Sequence, residues 1–230
     1  MQKKYARGEK IIVEEFVERK NHQIAGDAFI VDGKIVVFGI ANEHFDEECN
    51  PLVPIGESFP VELSETEIQA ARNEIQRAVT ELGIKNGAIN LDFMFTKTGE
   101  IFIIELGPRN GGNLITDAIK YSSGIDLAEY TIKAALGEDL SSLQEVPSKK
   151  YSSSYIWHSC YDGIFESINI CDELQSKIVK STIFVNKGDN IYRFDNGGFG
   201  IGAAILEFDS EDEMLYMMDH MNKFYEIKLR

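Results

Sequence analysis

The chain has 230 residues, 43% of them hydrophobic, enough for one large domain or two small ones and apolar enough to build a core, which excludes a wholly disordered chain. Its 23 Lys+Arg against 38 Asp+Glu leave a net charge of −15, which argues against nucleic acid or an anionic membrane as partner. A phosphorylated ligand stays compatible, because bridging metal ions make a carboxylate-lined site attractive to phosphate.

The opening MQKKYARGEK has no apolar stretch after its charges and does not read as a signal peptide. Residues 11–17 form a short β-branched and aromatic run that predicts a first strand. Two more strands are expected at 24–31 and 34–40 around Asp32-Gly33, a strong hairpin signal. Residues 41–62, with Pro51, Pro54, Gly56 and Pro60, read as irregular. Ser64 and Glu67 then form a capping box ahead of a helix. Ile68, Ala71, Ile75, Ala78, Val79 and Leu82 share one face of it, and Gly83 stops it. Strands at 88–95 and 101–106 flank Lys97–Glu100, and helices follow at 113–121 and 127–136. The polar stretch Ser141–Lys150 marks a boundary between a first unit, 1–140, and a β-rich C-terminal unit, 141–230. In the second unit, strands are expected at 151–158, 180–186, 190–194 and 201–208, before a last helix capped by Ser210 and Glu213. The fold class is α+β, built on antiparallel sheet. No apolar run of about 18 residues predicts a membrane span, and Cys49, Cys160 and Cys171 fit no metal or disulfide spacing. The expectation is a cytoplasmic protein with free thiols.

The chemistry concentrates in AINLDFMFTKTGEIFIIELGPRNGGN, residues 88–113. With Lys97–Glu100 as the connection, Asp92 faces Glu105 across the hairpin, Leu91 faces Leu106, and Phe93 faces Ile104. One face is then wholly apolar: Leu91, Phe93, Phe95, Phe102, Ile104 and Leu106. The other carries Asn90, Asp92 and Glu105. Opposed carboxylates have Cβ atoms about 4.5–5.5 Å apart and repel, so they call for a cation, a shared proton or full solvation. Oxygen donors at that separation suit Mg²⁺ or Mn²⁺. Arg109 follows directly, with a guanidinium fork that matches phosphate or carboxylate. Gly111 and Gly112 let backbone approach a ligand.

At these residues the sequence resembles the ATP-grasp superfamily, the carboxylate–amine ligases, and in its Gly-Gly after the arginine the amino-acid ligase and carbamoyl-phosphate-synthase-like branch. The resemblance implies that Asp92 and Glu105 hold the metal ions bridging the ATP phosphates, and that Arg109 is the catalytic residue that steadies the transferred phosphoryl group. It implies that Asn110, Gly111, Gly112 and Asn113 meet substrate. Glu14, Glu15, Phe16 and Val17 correspond to the family's adenine-binding hinge strand. His22, Gln23 and Asp27 are candidates for the ribose contact. Two departures stand out. The metal-binding Asn expected two places after Glu105 is Gly107, with Asn90 opposite it as a partial substitute. The N-terminal domain and lid of a complete enzyme have no counterpart before the hinge. The chain is therefore expected to be the C-terminal half of an ATP-dependent carboxylate–amine (or thiol) ligase. Its partners would be small-molecule carboxylates and amines, together with the missing half or a second copy. The alternative is a non-catalytic, degenerate fragment that acts as a binding or partner protein. The remaining signals read as structure. Trp157, Met214, Met217, Met218 and Met221 are expected in the core, and the glycine-dense 196–202 as a turn. The acidic cluster around Glu43, His44, Asp46 and Cys49 reads as a solvated or substrate-facing loop, and no Ser–His–Asp arrangement is expected.

Overall fold

The computed structural model describes residues 13–230. Eleven strands and five helices occur among them, and the order is that of an α+β protein. Eight strands form one antiparallel sheet in the order β5-β4-β1-β2-β3-β6-β10-β8. They are β1 (Gln23–Val31), β2 (Lys34–Asp46), β3 (Asn50–Phe59), β4 (Gly87–Phe95), β5 (Ile101–Gly107), β6 (Tyr151–Trp157), β8 (Ile178–Ile183) and β10 (Gly202–Phe208). A second sheet has the order β11-β7-β9, from β7 (Gly163–Ile170), the two-residue β9 (Asn190–Ile191) and β11 (Tyr225–Leu229). The helices are α1 (Glu65–Glu81), α2 (Ile115–Ser123), α3 (Leu127–Leu136), α4 (Asp172–Gln175) and α5 (Glu211–Asp219). Among the described residues no helix is long and apolar enough to cross a membrane.

Side-chain alternation divides the large sheet into two faces. On one face Ile24, Ala28, Ile30, Phe38, Ile40, Ile89, Leu91 and Phe93 are buried with Ala71, Ile75 and Val79 of α1. Helix α1 begins as expected, with both halves of the Ser64–Glu67 capping box formed. Its stripe is narrower than the sequence suggested: Leu82 is 65% exposed. On the other face α2 and α3 cover Phe29, Val37, Ala41, Phe59 and Ala88 with Ile115, Ala118, Ile119 and Leu127. Gly39 lets Ile119 pack close to the sheet there, since a Cβ would sit 2.9 Å from its Cδ1 methyl. Further along, Trp157 and the methionines of α5 pack into a third cluster with Tyr155, Phe165 and Phe194, and residues 197–199 form a single 3₁₀ turn.

Several expectations are corrected. The expected first strand, 11–17, is not one: Ile11 and Ile12 lie outside the described residues, and 13–18 form no strand. Val13 and Phe16 are 89% and 87% exposed, so the apolar pattern there covers nothing. Residues 41–62 are not irregular but complete β2 and form β3. Register shifts at Phe45, opposite Pro54, absorb the prolines, and only Gly56–Phe59 of β3 also pairs with β6. Pro51 and Pro54 thus lie where no second ladder needs their missing N–H. Strands β7 and β11 lie outside the strands expected from the sequence, although Tyr225–Leu229 alternates apolar and polar residues strictly.

The Asp32-Gly33 turn has φ of 50° and 78°, the left-handed pair that a two-residue hairpin needs. The second hairpin differs from its expected form. Gly99, at φ 85°, gives a three-residue tip in which Thr96 N–H meets Glu100 O at 2.8 Å. Phe95 therefore faces Ile101, and Phe93 faces Ile103. A bulge then restores the expected pairing at Asp92–Glu105, Leu91–Leu106 and Asn90–Gly107. Ile101 and Ile103 consequently pack against the α1 core, while Phe102 and Ile104, expected inside, are exposed.

Truncation should separate the two sides of α1. Ile75→Ala removes a fully buried side chain and should cost about 2–5 kcal/mol. Leu82→Ala should stay within about 0.5 kcal/mol. Urea unfolding of both variants checks this, and equal losses would place the helix in the wrong rotation.

Candidate active site: an acidic sheet face beside an arginine

The face covered by α2 and α3 changes character where the helices end. Along β1, β2, β3 and β4 the same alternation that presents Phe29, Val37, Phe59 and Ala88 next presents Asp27, Glu43, Glu57 and Asp92. Glu105 of β5 lies directly opposite Asp92. Asp92 in turn faces Ala25, which faces Ala41, so two small side chains separate it from Glu43, which faces Glu57. Five carboxyl groups thus share one side of the sheet.

Their surroundings differ. Asp27 is buried and accepts both hydrogen bonds of Gly111 N–H, at 2.8 and 2.9 Å, and one from Asn90 Nδ2 at 3.2 Å. Burial outweighs these bonds and raises its pKa to about 6. Burial raises the Glu57 pKa to about 8, against the hydrogen bond that the Ser154 hydroxyl donates to it and with Asp92 and Asp27 adding to the rise. Glu43, bonded to Gln23, is pushed well up by burial and by Asp92 and Glu57. Asp92 is half-buried and raised to about 6, first by desolvation and then by Glu105 across the hairpin, against the pull of Arg109. Glu105 is exposed at the rim.

Arg109 stands at the same rim. Its Nη1 donates to Asn90 Oδ1 at 3.3 Å and to Asn110 O at 3.0 Å, and its Nη2 is 4.0 Å from Glu105. The structure therefore brings Asp92, Glu105 and Arg109 together. Asn90 does lie opposite Gly107, but its amide oxygen is taken by Arg109 and its amide nitrogen by Gly26 O and Asp27. It positions the arginine rather than offering a free donor. The loop after Arg109 is equally tied down. Asn110 bonds Thr131 of α3 at 2.9 Å. A Cβ on Gly111 would meet Asp27 and Asn90 at 2.9 Å. Gly112 has open space around it, and Asn113 and Leu114 carry positive φ of 53° and 66° into α2.

The residues expected around adenine are only partly gathered. Glu15, Phe16 and Val17 border an open hollow of about 690 Å³ with the hairpin tip, including Phe102 of β5. Glu14 is exposed and lies outside it. Gln23 points to Glu43 instead. Sequence reasoning missed Glu43 and Glu57 as members of the site, because it placed one in a solvated loop and gave the other no role. Glu43 and His44 are buried strand residues of β2. His44 also forms a line absent from the expectations, with Nδ1 2.9 Å from Asp219 and Nε2 2.9 Å from Ser58 Oγ. Ser58 is fully buried and bonded to Asn42, so this line locks α5 to the sheet and offers no nucleophile.

Asp92 and Glu105 present hard oxygen donors from opposed positions, a donor set that could hold a divalent cation of the Mg²⁺ class. The buried carboxyls hold protons in the folded chain that the unfolded chain has lost near pH 4. Without divalent ions, stability should therefore be full below pH 4 as far as these groups are concerned, and fall as pH rises through 6 and then 8. Thermal unfolding checks this: Glu57→Gln should flatten the upper part of the fall and gain about 2–4 °C for each kcal/mol recovered. A wild-type midpoint that rises from pH 5 to 9 would contradict the assignment.

A family model for the ATP-grasp domain matches residues 1–117, half of the chain. The protein y4rH of Sinorhizobium fredii is 30% identical over 131 residues, which are 56% of this chain and 25% of that protein. Phosphoribosylglycinamide synthetase from Anaerococcus prevotii superposes with a TM-score of 0.75 at 23% identity, over 94% of this chain and 55% of that one. L-amino acid ligase from Bacillus licheniformis does so with a TM-score of 0.79 at 21% identity and the same coverage. The chain thus spans about half the length of these solved structures and a quarter of the curated relative. In its sequence match and in its antiparallel α+β fold, the chain belongs to the ATP-grasp family.

Proposed function

We propose that this chain contributes the metal- and phosphate-binding wall of an ATP-dependent carboxylate–amine, or carboxylate–thiol, ligase. The observation that supports it most is the in-register opposition of Asp92 and Glu105 at an open rim, with Arg109 beside them. Mg-ATP would supply the phosphoryl group that converts a carboxylate into an acyl phosphate with release of ADP, and an amine or thiol would then attack the acyl carbon and release phosphate. Asp92 and Glu105 would hold Mg²⁺ or Mn²⁺ through their oxygens. Arg109, held in place by Asn90, would present its guanidinium to the negative charge of the transferred group. Asp27, by gripping Gly111 N–H, keeps the glycine loop close to that arginine. Gly112, which has room around it, is the loop position where substrate backbone or carboxylate could approach. The hollow beside Glu15, Phe16 and Val17 lies by the exposed Phe102, on the strand that carries Glu105, and is the candidate place for adenine.

A second reading, a nucleotide or partner binder without turnover, draws on Gly107, which offers no side-chain donor where the family pattern has one, and on Asn90, whose polar atoms are already engaged. Both readings share the cation at the acidic rim.

Titration calorimetry with ATP up to millimolar concentration, with and without Mg²⁺, tests the assignment. Binding should require Mg²⁺, and Asp92→Asn or Glu105→Gln should each weaken it about tenfold or more, the loss expected for a charge-assisted contact of about 1.5–3 kcal/mol. Wild-type binding that ignores Mg²⁺, or affinities unchanged in both variants, would overturn it.

A further inference from the structure

A second cluster lies away from the acidic rim, where the turn between β2 and β3 meets the end of β6. Asp46, Cys49, His158 and Cys160 each offer one ligand atom, and the four atoms lie within 4.8 Å of one another. Neither pair shows metal-ligand spacing in sequence. Strand pairing brings them together, because β6 runs beside β3 and carries His158 and Cys160 past its end.

The supporting contacts orient each donor. Asp46 Oδ1 accepts from the N–H groups of Glu48 and Cys49 at 3.1 and 3.0 Å, which turns Oδ2 toward His158 and Cys160. His158 is buried, and its Nδ1 is 2.9 Å from the carbonyl oxygen of Ile156. A carbonyl only accepts, so Nδ1 carries the hydrogen. In a neutral ring Nε2 is then a bare lone pair, and it points at Asp46 Oδ2 from 3.0 Å. Two lone pairs at that distance need a cation to join them, either a second proton on the ring or a metal ion. A histidine whose other nitrogen donates to a backbone carbonyl is the usual arrangement of a metal ligand. Around the cluster, Arg193 donates to the carbonyl of Cys49, Asn50 Nδ2 donates to Phe194 O at 3.0 Å, and the Phe194 ring lies 4.8 Å from His158.

We propose that Asp46, Cys49, His158 and Cys160 form a zinc site that clamps the β2–β3 turn to the end of β6. Two sulfurs, one imidazole nitrogen and one carboxylate oxygen are a borderline-soft donor set that suits Zn²⁺ and not Mg²⁺. Donors around a tetrahedral zinc stand about 3.3–3.8 Å apart, so small rotations of the four side chains close the set. Four protein ligands fill the coordination sphere, which makes the site structural rather than catalytic. Binding displaces the two thiol protons to solvent and leaves thiolates on the metal. The site is independent of the carboxylates that would hold Mg²⁺.

The test is metal analysis and Co²⁺ substitution on the full 230-residue chain, purified under reducing conditions. Titration with Co²⁺ should saturate at one ion per chain, with a thiolate-to-cobalt charge-transfer band and the intense visible bands of tetrahedral cobalt. Zn²⁺ should displace it and raise the unfolding temperature, and a chelator should reverse the rise. Cys49→Ser and Cys160→Ser should each lose about half or more of the charge-transfer intensity, one of the two thiolates being gone, while Cys171→Ser, at an exposed cysteine, should keep it. If Cys49→Ser fails to fold, the less buried Cys160→Ser decides. Absence of stoichiometric Co²⁺ binding would overturn the proposal, as would a charge-transfer band that keeps its wild-type intensity in Cys160→Ser. So would a native chain two hydrogens lighter than its reduced form, with Cys49 and Cys160 joined as a disulfide.

Discussion

Repulsion among carboxylates on one side of a β-sheet is the constraint around which this half of the molecule is arranged. Asp27, Glu43, Glu57, Asp92 and Glu105 all project from the face that α2 and α3 cover only in part. Each has a different remedy. Asp27 is gripped by a backbone N–H, Glu57 by a serine hydroxyl and Glu43 by a glutamine. Burial keeps the protons on these groups to unusually high pH. Among the described residues Arg109 is the cation beside Asp92 and Glu105, its Nη2 4.0 Å from Glu105, and the two carboxylates still face each other at the rim. The pair without a hydrogen-bonding remedy thus stands at the rim and the remedied groups inside, which is the arrangement on which the proposed metal site rests.

The hairpin shows how local geometry serves that end. A three-residue tip set by Gly99 shifts the pairing by one residue, and a bulge beside Asp92 shifts it back. Ile104 and Glu105 then both turn away from the α1 core, and Glu105 meets Asp92. Bulges commonly re-aim side chains next to functional sites. Here the bulge exposes Ile104 and Phe102, which leaves an apolar strip on β5 next to the opposed pair Asp92 and Glu105. That strip forms part of the hollow with residues 15–18.

What was legible in the sequence followed from local chemistry. The capping boxes, the Asp32-Gly33 turn and the Asp92–Glu105 pairing depend on residues close along the chain. The pairing survived a wrong guess about the turn only because the bulge compensated for it. The partnership of Glu43 with Glu57, and of Asp46 and Cys49 with His158 and Cys160, was not legible. The first depends on β2 pairing with β3, which two prolines made look like a loop, and the second also on β3 pairing with β6, about a hundred residues away. The reading of 11–17 as a strand erred differently: its apolar residues are real, but among the described residues those of 13–17 pair with no strand.

A crystal of the chain grown with Mn²⁺ and measured at a wavelength where manganese scatters anomalously would test the acidic rim most directly. The account predicts an anomalous peak within ligand distance, about 2–2.3 Å, of carboxylate oxygens from both Asp92 and Glu105. Manganese bound elsewhere with those two carboxylates left bare, or their side chains turned to opposite faces of the sheet, would contradict it.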